Sequence, residues 1–139
     1  MKPNRIIIAG SRTVPEDSTI LKDKINKILF HIDCYGTEIV SGTCKGADIL
    51  GENYAKDNDL PLKQFPADWD NHGKRAGYLR NKQMAEYATH LVAIVDLAFE
   101  SRGTRHMIDL AEENGLEIRI LYINEDKAKF PKISLGTKK

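Results

Sequence analysis

Five short runs rich in isoleucine, valine and leucine, separated by segments with helical spacing, constrain this chain more than any other feature. The runs are RIIIAG (5–10), TEIVSG (37–42), LPLKQFPA (60–67), HLVAIVD (90–96) and EIRILYI (117–123). The first is β-branched and does not alternate with polar residues, the pattern of a strand covered on both faces. HLVAIVD is the most apolar and reads as central. Pro61 marks the third run as an edge strand, because proline cannot donate to a ladder. After Pro15 and the helix-start residues EDS, Ile20, Leu21, Ile25, Ile28, Leu29 and Ile32 fall on one helical face, with Gly36 as the stop. Further helices are expected over 45–57, with Ala47, Leu50, Tyr54 and Ala55 inside, over 76–88, and over 104–114, closed by Gly115. The polar stretch DWDNHGKRAG (68–77) reads as a loop. Strands alternating with helices imply an α/β three-layer sandwich: a five-stranded parallel sheet with helices on both faces. The expected strand order is 3-2-1-4-5, with the winding reversing between strands one and four.

A chain of 139 residues suits one domain. No repeat or internal boundary interrupts it, so residues 1–126 are read as the domain. Residues 127–139 form a basic tail in which Lys127, Lys129, Lys132, Lys138 and Lys139 face no acid. Such an end is read as a flexible, solvated terminus. The net charge of +1 supplies no global attraction to nucleic acid or membrane. No apolar run approaches the roughly 20 residues of a membrane span, and MKPNRIIIAG is too short in apolar length for a signal peptide. The two cysteines, Cys34 and Cys44, have no metal-binding spacing. A reduced cytoplasmic chain without metal or cofactor is expected.

In open parallel sheets, ligands bind beyond the carboxyl ends of the strands, near the reversal point. The residues there are Gly10, Ser11 and Arg12; Ser41, Gly42 and Thr43; Asp68; Asp96; and Asn124. Two glycine turns feed helices on this edge: SGTCKGAD, with Gly42, Gly46 and Asp48, and ESRGTRHM, with Arg102, Gly103 and Thr104. A helix N-terminus offers unpaired N–H groups and about half a positive charge. GTCKG is neither GxGxxG nor a Walker A loop, and alone it is equally a packing turn. Arg12 can grip a phosphate with two parallel hydrogen bonds, or pair with Glu16 or Asp17 on the surface. Trp69 can stack on a ring or cap an apolar edge. Arg80 and Asn81 stand near the start of the third helix, with Met84 in the core.

Together AGSR, SGTCKGAD, PADWDNHGKRAGYLRNKQM and SRGTRHM, in this order and spacing, resemble the YspA-like, cpYpsA-related branch of the SLOG superfamily. That superfamily also holds the LOG phosphoribohydrolases and DprA-like proteins. The resemblance runs from about residue 5 to residue 123. It implies a Rossmann-like fold and a site for a nucleotide-derived small molecule, such as an ADP-ribose-like or cyclic-nucleotide signal, often in phage–host conflict. Dimeric LOG relatives imply a homo-oligomer. Gly103 and Thr104 match the GT of the LOG signature PGGxGTxxE, and Arg80 resembles the arginine of the separate ERK segment of LOG proteins, since both precede a methionine by a few residues. The glutamate position is Met107, which can neither steady an oxocarbenium-like centre nor activate water. Three functions follow in order of expectation. The first is capture of a nucleotide derivative. The second is hydrolysis using Glu100, Asp96 or Asp68. Nucleic-acid binding is a distant third, disfavoured by the near-neutral charge.

Overall fold

Ile6 and Ile8 pack into one apolar cluster and Ile7 and Ala9 into another, so both faces of the first run are covered, as its composition requires. In the computed structural model, which describes residues 3–32 and 36–136, this run is β1 (Asn4–Gly10), the middle strand of a five-stranded sheet. β2 (Thr37–Ser41) pairs with it on one side, and β3 (Leu62–Gln64) forms the edge beyond. On the other side lie β4 (His90–Asp96) and then β5 (Glu117–Ile123). All pairings are parallel and the order is 3-2-1-4-5, as expected. Cys34, Lys138 and Lys139 lie outside the described residues.

Helices α1 (Thr19–Phe30) and α2 (Ala47–Asp57) cover one face. Their Leu21, Ile25, Leu29, Leu50 and Tyr54 pack on Ile6, Ile8, Ile39 and Val92. A short helix, α3 (Trp69–His72), precedes α4 (Ala76–Tyr87), which with α5 (Arg102–Glu113) covers the other face. Met84, Met107, Ile108 and Ala111 pack there on Ile7, Val40, Leu91 and Ala93. Burying each large side chain contributes about 1.5–3 kcal/mol.

Several boundaries differ from those expected, each for a local reason. α1 ends at Phe30 rather than at Gly36, because the amides of His31 and Ile32 reach back only three residues, to Ile28 and Leu29, and tighten the last turn. Ile20 is 68% exposed. It sits one position before the Leu21–Ile25–Leu29 stripe and is turned away from the sheet. The third strand shrinks to three residues, with the Pro61 carbonyl still accepting from Ile39 at 2.9 Å. The expected loop over 68–77 is structured: Asp68 accepts from the Asn71 amide and caps α3, and a 3-10 turn over Gly73–Arg75 leads into α4. α5 starts at Arg102, two residues early.

Past β5 the chain runs back along the molecule. The amides of Lys129 and Phe130 both donate to the Leu97 carbonyl, at 2.8 and 3.1 Å. The Ile133 amide donates to the Tyr122 hydroxyl at 3.0 Å, and Ile133 packs on the second cluster. Among the described residues, no helix is long and apolar enough to cross a membrane.

Candidate ligand-binding site

The loops after β1 and β4 diverge where the strand order reverses. A cavity of about 370 Å³ opens between them. Gly10, Ser11, Arg12, Asp48, Arg80, Asn81, Glu100, Arg102, Gly103 and Thr104 all line it. Cys44, Phe99, Ser101 and Met107 line it as well. Sequence reasoning did not assign Cys44, Phe99 or Ser101 to the site, although all three lie inside the two glycine turns or the loop beside them.

Two helices begin on this rim, and they differ in how far the amides leading into them are engaged. In the turn that opens α2, four donors are taken up internally. Thr43 N–H donates to Ser41 Oγ at 3.0 Å, Cys44 N–H to Asp48 Oδ2 at 3.0 Å, Gly46 N–H to Glu16 Oε2 at 2.8 Å, and Ala47 N–H to the Ser11 carbonyl at 3.2 Å. The Glu16 carboxylate already occupies the place an anion would take at this dipole. At α5 the N-cap Ser101 makes no side-chain cap bond. Among the described residues, no acceptor meets the amides of Arg102, Gly103 and Thr104. A Cβ on Gly103 would meet nothing within 4 Å, so the approach to this helix end is clear.

Gly42 and Gly46 therefore serve packing. A Cβ at Gly42 would stand 2.8 Å from Asp48 Oδ2 and 3.0 Å from Arg80 NH1, and one at Gly46 would stand 2.4 Å from the Ser11 carbonyl oxygen. Gly46 also adopts φ +87, which L side chains rarely take.

Arg80 is the most informative residue. Its side chain enters the cavity from α4, and the residue is only 8% exposed. Nε donates to Asn81 Oδ1 at 2.9 Å, NH1 donates to the Gly42 carbonyl, and NH2 lies 3.7 Å from Cys44 Sγ. Asn81 is itself held by His106 at 3.2 Å; burial pushes the His106 pKa down, so a neutral ring can accept there. All three Arg80 partners are neutral. Among the described residues Arg80 makes no ion pair. A guanidinium taken out of water without an ion-pair partner carries a desolvation cost that an anionic ligand offsets. Arg12 is exposed and, among the described residues, also makes no ion pair: Glu16 caps α2 and Asp17 holds Lys22. Arg102 is neutralised by Glu100 at 2.5 Å.

Burial raises the Asp48 carboxyl from 3.8 to about 6, and the Glu52 charge adds to the effect. The Cys44 amide, Arg80 and Arg12 pull the other way. Between these two values the native chain holds a proton that the unfolded chain has released. Stability therefore falls as pH rises from about 4 through about 6, and is level above. The displacement is worth about 3 kcal/mol. Asp48→Asn keeps an acceptor for the Cys44 amide and cannot titrate. In urea unfolding, its stability relative to the natural chain should grow by about 2–3 kcal/mol between about pH 4 and about pH 7. A constant difference would show that Asp48 does not titrate in that window.

The remaining expected site residues lie outside the cavity lining. Asp96, 1% exposed, accepts from Thr13 Oγ1, the Ala98 amide and Asn124 Nδ2 at 2.7, 3.0 and 3.0 Å. Burial pushes its pKa up, but these three donors more than reverse that and leave it below the usual carboxylate value. It ties the ends of β1, β4 and β5 together. Asp68 caps α3. Ser41 is fully buried, with its hydroxyl 2.6 Å from Glu52, and Thr43 follows at φ +67. Trp69 is 52% exposed and lies over the first turn of α4, where a Cβ on Gly77 would be 3.6 Å from its ring. Ser11 lines the cavity, but its hydroxyl accepts from the Asp96 amide at 2.9 Å and meets Ser101 Oγ at 2.8 Å, so it braces the two loops.

An open parallel sheet of this order, with a polar crevice at its reversal point, defines the Rossmann-like class. Within that class, the chain belongs to the YspA, cpYpsA-related SLOG family (YAcAr), whose model matches residues 4–72. It is similar to the Gene 61 protein of Mycobacterium phage D29, at 33% identity over 119 residues, 82% of this chain and 93% of the phage protein. No solved structure matches it.

Proposed function

We propose that this chain captures a nucleotide-derived small molecule, ADP-ribose-like or cyclic-nucleotide-like, at the carboxyl edge of its sheet, acting as a sensor or sequestering protein. The observation that carries this is the buried Arg80 guanidinium, bonded only to neutral partners and lining the same cavity as the open end of α5. Arg12 adds a second cation at the mouth. Membership of the SLOG family supports a nucleotide-related ligand, and the likeness to a phage protein supports a setting in phage–host conflict.

Capture is favoured over cleavage by the state of the carboxylates. Asp96 is saturated by donors, Asp68 caps a helix, and Glu100 is paired with Arg102. Met107, 2% exposed, lines the cavity where LOG relatives carry their glutamate. A second reading has one observation in its favour: Asp48, whose carboxyl is pushed up to about 6 in the cavity, has the proton affinity of a general acid. One experiment separates the readings. The purified chain is incubated with ADP-ribose, cyclic AMP, cyclic GMP and nucleoside monophosphates, and free and bound pools are assayed by mass spectrometry. Intact retained ligand is expected. Free base or ribose phosphate whose formation is lost in Asp48→Asn would establish cleavage instead, and no retention of any anion would end the proposal.

A further inference from the structure

Beside the polar cavity lies a second one of about 310 Å³, which nothing in the site above uses. Leu97, Phe99, Phe130, Pro131 and Ile133 wall it, with Arg105 at its edge. Phe99, Glu100, Ser101 and Arg102 line both cavities, so only one loop separates the apolar space from the open end of α5. Phe99 is 55% exposed and Phe130 is 40% exposed. Among the described residues neither ring stacks on another aromatic ring.

The wall segments are tied to one another by backbone bonds. The Leu97 carbonyl receives both Lys129 and Phe130, and the Phe99 amide donates to the Asp96 carbonyl at 3.2 Å. Asp96 Oδ1 accepts from the Ala98 amide at 3.0 Å and fixes the start of the loop. Two partly exposed phenylalanines bordering one braced cavity suit a planar ring, because aromatic surface is available for it to pack on. Arg105 adds a cation that can lie over such a ring. The polar cavity, by contrast, holds the anion-binding groups, and its one aromatic residue is Phe99, shared with the apolar space.

We infer that the second cavity is the base subsite of the same ligand: a nucleotide lies across the 99–102 loop, with its phosphates at Arg80 and α5 and its heteroaromatic ring between Phe99 and Phe130. This rests on the phosphate reading of the first cavity. Trp69, the ring-stacking candidate of the sequence, lies outside both cavities.

The test uses the full chain and calorimetric titration with ADP, GDP and inorganic pyrophosphate. Phe99→Ala and Phe130→Ala are compared with Phe30→Ala, an exposed phenylalanine on the opposite side of the sheet. A nucleoside diphosphate is expected to bind the natural chain at least tenfold more tightly than pyrophosphate. Each of the first two substitutions should weaken that nucleotide about tenfold or more, the usual effect of losing a stacked base. In Phe130→Ala, whose side chain lies outside the first cavity, pyrophosphate binding should stay unchanged, and Phe30→Ala should change neither ligand. Equal weakening of nucleotide and pyrophosphate by Phe130→Ala would overturn the base subsite, and so would no weakening of the nucleotide by either substitution. If pyrophosphate binds, and is lost in Arg80→Met, but neither nucleotide binds more tightly, the base subsite falls and the phosphate site stands. If pyrophosphate fails to bind, the phosphate reading itself falls.

Discussion

Replacing Arg80 with methionine should weaken binding of pyrophosphate or of a nucleoside diphosphate by about 10-fold to 150-fold. A hydrogen bond to a charged group contributes about 1.5–3 kcal/mol, and this cation has no ion-pair partner among the described residues to dilute it. The substitution also strands the Gly42 carbonyl and Asn81 Oδ1, which lose their donor. Each orphaned acceptor costs about 1–3 kcal/mol, so a lower melting temperature is expected together with the binding loss. Arg80→Lys separates the two effects. It keeps the charge, removes the fork geometry, and should retain binding within about tenfold of the natural chain. There is also a signature at Asp48. Arg80 holds that carboxyl down, so its titration should move to higher pH in Arg80→Met and stay in place in Arg80→Lys. Calorimetric titration and urea unfolding across pH read all three. Unaltered anion binding by a folded Arg80→Met chain would remove the basis of the proposed function.

Alanine at Gly46 should destabilise the chain by about 4 kcal/mol. Placing a side chain on the left-handed side of φ costs about 1–3 kcal/mol, and overpacking typically costs another 1–3 kcal/mol. The new Cβ would lie 2.4 Å from the Ser11 carbonyl oxygen and 2.6 Å from Arg12 Cα. Those are backbone atoms, held by the Ala47 N–H bond to Ser11 and by the Ser11 amide bond to Ile94 at 2.9 Å. They cannot move aside as a flexible side chain would. Against a typical total stability of 5–15 kcal/mol, much of the population should be unfolded at modest urea. Gly103→Ala is the counterpart. Its Cβ meets nothing within 4 Å, so stability should change by less than about 1 kcal/mol while any ligand seated against that helix end is pushed away. If both alanines gave the same loss of stability, the division between a packing glycine and a ligand-facing glycine would be wrong.

That division marks the limit of legibility. From residue types alone, the SGTCKGAD and SRGTRHM turns are equivalent: a glycine, a helix start and an aimed set of amides. Their difference comes from Glu16, which lies 30 positions before Gly46 in the chain and accepts from the Gly46 amide at the start of α2. No local pattern around Gly46 encodes that arrival. Arg12 is the converse case. A surface pair with Glu16 or Asp17 was the ordinary expectation, and both acids are engaged elsewhere. Trp69 stood out as the only tryptophan, yet α3 sets it on the first turn of α4, and Phe99 takes the place at the cavity.

By itself the sequence determined the layering, the parallel sheet and its order, because periodicity and β-branched runs act over a few residues and a parallel sheet admits few connections. It also placed Gly10, Arg12, Arg80 and Gly103 on one rim, since the carboxyl ends of parallel strands must share an edge. Only the tertiary structure decided which amides stay open, which carboxylates are saturated and which cation is buried without an ion-pair contact among the described residues. Those properties depend on what residues distant in sequence bring to the same point, and on how much water their packing excludes.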